Sequence, residues 1–129
     1  MLKSTLPHSF LYLIVLLLAF NATFTLAYPL EERSSSFSGD GTFYTVGLGS
    51  CGKTNSDTEL VAALSSDLME GGKYCGKKIK ITTPTGTVTA TVVDTCPGCA
   101  KGSVDLSISA FKKIGKVAAG RIAIKWSFL

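Results

Sequence analysis

The sequence has 129 residues, four cysteines, a single histidine and a formal net charge of +4. That length suits one small domain behind a targeting segment and leaves too little chain for a second domain of ordinary size. The charge excess is modest and no aromatic residues interleave with the basic ones. This argues against nucleic acid as a partner and fits solvated lysines or loose attraction to an acidic wall polymer.

At the N-terminus, Lys3 and His8 precede the apolar run Phe10 to Phe20, and Thr25-Leu26-Ala27 supplies the small residues that a signal peptidase reads. Residues 1–27 are therefore expected to be a secretory signal cleaved after Ala27. The run is too short for a membrane anchor, which needs about 20 apolar residues. Cleavage also removes His8 and the sequon Asn21-Ala22-Thr23, so the mature chain has no histidine. Schemes resting on a histidine base, a Ser-His pair or a histidine-bound metal are closed to it.

Residues 28–38, with Glu31-Glu32-Arg33 and a run of serines, lack an apolar period and are expected to be a flexible leader. Gly39 to Val46 places β-branched and aromatic residues between glycines, which suits a first strand, and Gly47 to Gly52 reads as a loop pinned by Cys51. Leu60 to Ser65 suits a buried strand, followed by a single helical turn over Ser66 to Glu70 with a glycine stop at Gly71-Gly72. Lys77 to Thr82, the turn Pro84-Thr85-Gly86 and Thr87 to Val93 form the clearest hairpin. Ser107 reads as the N-cap of a short amphipathic helix ending at Gly115. Arg121 to Phe128 alternates strictly, so Ile122, Ile124, Trp126 and Phe128 share a buried face, and Trp126 belongs with the core rather than with a sugar platform. Several short strands with little helix argue for a closed β-barrel, which removes vulnerable edges.

The chemistry concentrates between Thr89 and Ser107, where Asp94 and Asp105 flank the tight turn Cys96-Pro97-Gly98-Cys99. Each acid also has a plain structural use, Asp94 in bracing the turn and Asp105 in placing negative charge before a helix. Four cysteines in a small secreted chain read as two structural disulfides, with three pairings open. A zinc site would need Cys51 and Cys75 as partners from unlike contexts, and no helix start directly follows the Cys-x-x-Cys turn as a thioredoxin-type site requires.

These residues resemble the RlpA-like double-psi β-barrel family, shared by expansin first domains, barwin-like proteins and small secreted fungal proteins. The likeness spans Gly39 to Leu129 and is carried by Gly41-Thr42-Phe43-Tyr44, Ala63-Leu64-Ser65, Cys75-Gly76-Lys77, Val92 to Cys99, Val104-Asp105-Leu106-Ser107, Ala110-Phe111 and Gly120-Arg121-Ile122. The length and the Cys-Pro-Gly-Cys turn look most similar to the single-domain fungal members. The resemblance implies a six-stranded double-psi barrel with one or two short helices, and the disulfides Cys51 to Cys75 and Cys96 to Cys99. It also implies a shallow polysaccharide groove lined by Thr42, Tyr44, Asp94 and Asp105. Asp105 matches the acid that related hydrolases and lytic transglycosylases use as proton donor and that expansins need for wall loosening, while Asp94 matches a hydrogen-bonding partner of the first strand.

Departures from the family narrow the chemistry. Inverting hydrolysis needs a second carboxylate, and the related endoglucanase base would fall at about Val46. Lytic transglycosylases of this type carry a histidine after the second-strand alanine, where Leu64-Ser65 stands here. The aromatic residue two positions beyond the first groove acid of bacterial expansins is replaced by Cys96, and their wall-binding second domain has no counterpart in these residues. The leading expectation is therefore a secreted, monomeric, cofactor-free and metal-free protein of the cell wall or extracellular space, binding polysaccharide weakly and loosening it without hydrolysis. A barwin-like defence or protease-inhibiting module acting on an extracellular protein is the second reading. A weak hydrolase or lytic enzyme using Asp105 as acid is the third.

Overall fold

Apolar–polar alternation, together with one fully buried run at Val61–Ser65, turns six short segments into strands. They are β1 Ser36–Phe43, β2 Val61–Ser65, β3 Lys78–Thr82, β4 Thr87–Cys96, β5 Val104–Leu106 and β6 Ile122–Phe128. In the computed structural model, which describes residues 35–129, they close into a barrel in the order β1-β5-β2-β4-β3-β6. The pairs β1 with β5 and β2 with β4 are parallel and the other four are antiparallel. The signal expected over residues 1–27 and leader positions 28–34 lie outside the described residues. Among the described residues no helix is long and apolar enough to cross a membrane.

The inward faces supply the core. Ile79 and Ile81 of β3, Val88, Ala90 and Val92 of β4, Val104 and Leu106 of β5, and Ile124 and Trp126 of β6 are all buried in one cluster. Each large aliphatic side chain so buried contributes roughly 1.5–3 kcal/mol. Trp126 is 2% exposed, and its Nε1 donates to the Gly102 carbonyl at 2.9 Å, so the indole is fully satisfied as a core residue. Two short helices cap the barrel, α1 Ser66–Met69 and α2 Ile108–Lys112, and a 3-10 turn covers Val117–Ala119. Buried Phe111 and Ile114 bring the α2 end of the chain into the core. Ser65 and Ser107 cap the two helices, accepting hydrogen bonds from Leu68 N and Ala110 N at 3.3 Å. Cys51 is bonded to Cys75 and Cys96 to Cys99.

Several boundaries differ from the sequence reading, among them the end of β4 at Cys96 instead of Val93 and the end of α2 at Lys112 short of Gly115. Ser36 to Ser38 belong to β1 and not to a leader, because Phe37 stacks on Trp126 with ring centroids 4.3 Å apart while Ser36 and Ser38 face outward against β6. The serines that look like a solvated tail are the wet positions of an alternating strand. The same strand ends at Phe43, so Tyr44 to Val46 are not part of it. The left-handed residue closing α1 is Glu70 (φ 42°), one position before the expected glycines. In addition, Val104 to Leu106 form β5, a strand too short for its alternation to stand out in sequence.

Candidate functional site

Strand register gathers the two acids. Thr42 of β1 faces Asp105 of β5, Asp105 faces Ala63 of β2, and Ala63 faces Asp94 of β4. A single row therefore crosses four strands, with the two aspartates on either side of Ala63. At about 4.8 Å per strand, their backbones lie roughly 10 Å apart. Ala63 itself faces outward, since its neighbours Ala62 and Leu64 are the members of the core cluster.

Asp94 reaches this face because of a register shift. Val88, Ala90 and Val92 point inward, so simple alternation would send Asp94 into the barrel. Between Ala62 and Ala63 the register of β2 on β4 slips by one residue, pairing Ala62 with Val92 and Ala63 with Asp94. The extra residue, Val93, breaks the alternation and turns the carboxylate outward. Its Oδ1 accepts from Ser50 N at 2.9 Å and from its neighbour Thr95 N at 2.8 Å. Asp94 thus braces the loop carrying Cys51 to the end of β4. It makes no hydrogen bond with the first strand, contrary to the role that resemblance suggested.

That role falls to Asp105, whose Oδ1 accepts from Thr42 Oγ1 at 2.9 Å. Both residues line a cleft of about 490 Å³ with Phe43 as a further barrel residue. One wall is the cross-linked turn, through Cys96, Gly98, Cys99 and Ala100; the other holds Asp40 and Arg121, whose Nη1 meets Asp40 Oδ2 at 3.0 Å. Burial pushes the Asp105 carboxyl above its ordinary value of 3.8, assisted by the charge of Asp94 and opposed by the Thr42 hydroxyl, the Leu106 amide and the Arg121 guanidinium. A carboxyl so placed holds its proton more readily than a surface aspartate, which suits hydrogen-bond donation or acid catalysis toward a ligand in the cleft.

Tyr44 and Asp94 do not line that cleft. Tyr44 lines a smaller one of about 170 Å³ with Phe43, Thr45, Asp57 and Ile108, and Phe43 borders both. The Tyr44 hydroxyl oxygen is buried without a hydrogen-bond partner. Burial first, then the charges of Asp94, Asp105 and Asp57, push its pKa up to about 12.

Asp57 is a groove-side carboxylate that the sequence reading missed. Its Oδ1 accepts from Val46 N at 2.8 Å, and its carbonyl accepts from Ser109 Oγ at 2.6 Å. An acid therefore stands against the backbone of Val46, the position at which resemblance to the endoglucanases would put a base. The turn-forming run Asn55-Ser56-Asp57-Thr58 is its sole local signal, and it does not say which surface the turn folds onto. Arg121, Ser103 and the disulfide wall were equally unassigned to a cleft, because sequence does not say that the turn and the distant Arg121 fold around one space. Among the described residues no group of histidine, cysteine and acidic side chains is arranged to hold a metal ion.

With this geometry, residues 36–126 match the family model described as lytic transglycolase, a double-psi β-barrel domain. The chain belongs to that family. Expansin-YoaJ from Bacillus subtilis is 36% identical over 100 residues, covering 75% of this chain and 42% of that protein. A Clavibacter michiganensis expansin variant, solved in complex with cellohexaose, aligns with a TM-score of 0.69 and 31% identity over 74% of this chain and 50% of its own. The Streptomyces papain inhibitor aligns with a TM-score of 0.67 and 26% identity, over 74% of this chain and 94% of its own. The chain spans less than half the length of the curated relatives it matches first, at 40%, 42% and 30%.

Proposed function

We propose that this is a secreted, expansin-like protein that grips a cell-wall polysaccharide in the cleft over Thr42 and Asp105 and loosens it without cleaving bonds. The observation that carries the reading is Asp105 itself: a half-buried carboxyl with a raised pKa, held by Thr42 in a cleft open to solvent. The related expansin solved with cellohexaose supports a glucan-like chain as the ligand class. Asp94 does not serve as a water-activating base in this reading, because its Oδ1 already accepts two backbone amides. Loosening needs neither a cofactor nor a metal. Sugar rings in this cleft lie against Phe43 and the disulfide wall, while Asp105 and Thr42 exchange hydrogen bonds with hydroxyls of the chain.

Incubation with cellulose, chitin and peptidoglycan, measuring retained protein, mechanical weakening and released sugar, tests this. Retention and weakening without release are expected, and Asp105→Asn should reduce weakening at least about tenfold. Unchanged weakening in that variant sinks the site assignment. Sugar release lost in both Asp105→Asn and Asp57→Asn would instead assign hydrolysis, with Asp57 as the second carboxylate.

A second reading is favoured by Leu48, which is 75% exposed on a loop tied by the Cys51 to Cys75 bond, by Gly49 N to Lys53 O and by the Ser50 to Asp94 bond. A rigid loop presenting an apolar side chain suits a protein partner, and the Streptomyces papain inhibitor shares the fold over nearly its whole length. Inhibition of a papain-type protease that is lost in Leu48→Asp, with no polysaccharide retention, would favour it.

A further inference from the structure

The arc of barrel across from the Asp105 row carries lysines. In the closed order, β5 and β2 carry the Asp105 row, and β3 and β6 lie across from them. The outward positions of β3 are Lys78, Lys80 and Thr82, and those of β6 are Ala123, Lys125 and Ser127. Neither strand carries an acid. Lys78 and Lys80 stand two residues apart, roughly 7 Å. Lys125 pairs with Thr82 and Ser127 with Lys80, which sets Lys125 diagonally from Lys80 at roughly 7–8 Å. Three exposed lysines thus form a short bent row, two along β3 and the third offset onto β6. Among the described residues the ion pairs engage Lys73 and Arg121, not these three.

The face is also concave. A cleft of about 580 Å³, lined among others by Ser38, Thr82, Pro84, Ala123 and Lys125, adjoins one of about 240 Å³ that shares Thr82 and Lys125 and adds Lys80 and Ser127. Small side chains make its floor: Ser38 and Thr82 flank Lys125 in one row, and Ala123 lies in the next, paired with Asp40, whose carboxylate is engaged by Arg121. The turn at Thr83-Pro84 forms a wall. The lining is apolar at Ala123 and Pro84, hydroxylated at Ser38, Thr82 and Ser127, and cationic at its margin. A pyranose ring has the matching surfaces, with C–H groups on its faces, hydroxyls on its rim and, in a uronic acid, a carboxylate.

We propose that this cleft is a second carbohydrate site, distinct from the Asp105 cleft, which takes a carboxylated polysaccharide of hexuronic acid units. One ring rests over Ala123, and successive carboxylates meet Lys125, Lys80 and Lys78. The Asp105 cleft offers that polymer no free cation, since its Arg121 is paired to Asp40, so the two faces sort neutral from charged chains. A molecule engaging both polymers at once bridges them.

Retention of the protein on immobilised polygalacturonate, with neutral cellulose as control, tests the site across a salt series. Lys80→Gln with Lys125→Gln is expected to weaken polygalacturonate binding roughly tenfold at low salt. The double change Lys112→Gln and Lys113→Gln, which removes the same charge from the α2 end, should leave it within about twofold. Ala123→Phe fills the cleft at constant charge from an exposed position and should weaken binding by a similar factor. Asp105→Asn should leave polygalacturonate retention intact whether or not it affects wall weakening, which separates this proposal from the one above. Equal losses in the two lysine pairs would reduce the effect to net charge and overturn the site. So would normal binding by Ala123→Phe, or no binding by the unaltered protein.

Discussion

At the scale of single residues, Asp105 and Tyr44 are held at a cost to stability. The folded pKa of Asp105 lies above its ordinary 3.8, so the native state favours the protonated form. The stability tied to that proton is present below about pH 3.8 and is lost as pH rises through the folded value. Asp105→Asn keeps an oxygen for the Thr42 hydroxyl and removes the buried charge. It is expected to raise the melting temperature near pH 7, with the gain vanishing at about pH 3, as calorimetry at the two pH values would show. Tyr44 follows the same sign at the other end of the scale. Its pKa moves from 10.0 to about 12, so stability falls as pH rises through that interval, where the unfolded chain ionises first. Tyr44→Phe removes a buried hydroxyl without a partner and should stabilise by about 1 kcal/mol, with less alkaline loss, measured by urea unfolding. Neither property is legible in sequence, because each depends on which side chains converge from distant strands.

At the scale of elements, the N-cap of α2 was readable and the strand irregularity was not. Ser107 announces itself as an N-cap by position, and it does cap α2. The structure adds a second duty, since its hydroxyl also accepts from Val61 N at 3.3 Å, tying β2 to α2 in a fully buried setting. Ser107→Ala therefore removes a cap and leaves a buried amide unpaired. A loss of roughly 2–3 kcal/mol is expected in equilibrium unfolding, above that of an ordinary cap. The hairpin of β3 and β4 was legible from strict alternation and a Pro-Thr-Gly turn. The slip opposite Val93 was not, because a run of apolar and β-branched residues reads the same in either register.

At the scale of the whole molecule, the barrel is a closed wall with two unlike faces, pinned where its loops are longest. The Cys51 to Cys75 bond spans 24 positions, and closing a loop of that length in the unfolded chain is worth roughly 3–4 kcal/mol in the chain-entropy model. Replacing both cysteines by serine should lower stability by about that amount. It should also free the loop that Asp94 braces, seen as faster amide exchange at Ser50 than at Val92. The Cys96 to Cys99 bond closes a turn only 3 positions long, so its worth lies in shaping the cleft wall.

Composition and periodicity alone determined that this chain builds a small, mostly β domain around Ile79, Ile81, Ile124 and Trp126, and the cysteine count called for two cross-links. The cause is local: alternation dictates which side chains face inward, and that information lies within a few neighbouring residues. Family motifs then marked Thr42, Asp94 and Asp105 as worth watching. Only the tertiary structure decided what each acid does. Register between β1 and β5 joined Thr42 to Asp105, a one-residue slip turned Asp94 outward to brace a loop, and the connection from β1 to β2 folded Asp57 back onto Val46. The first two are non-local pairings, set by how strands meet and not by what any one strand contains.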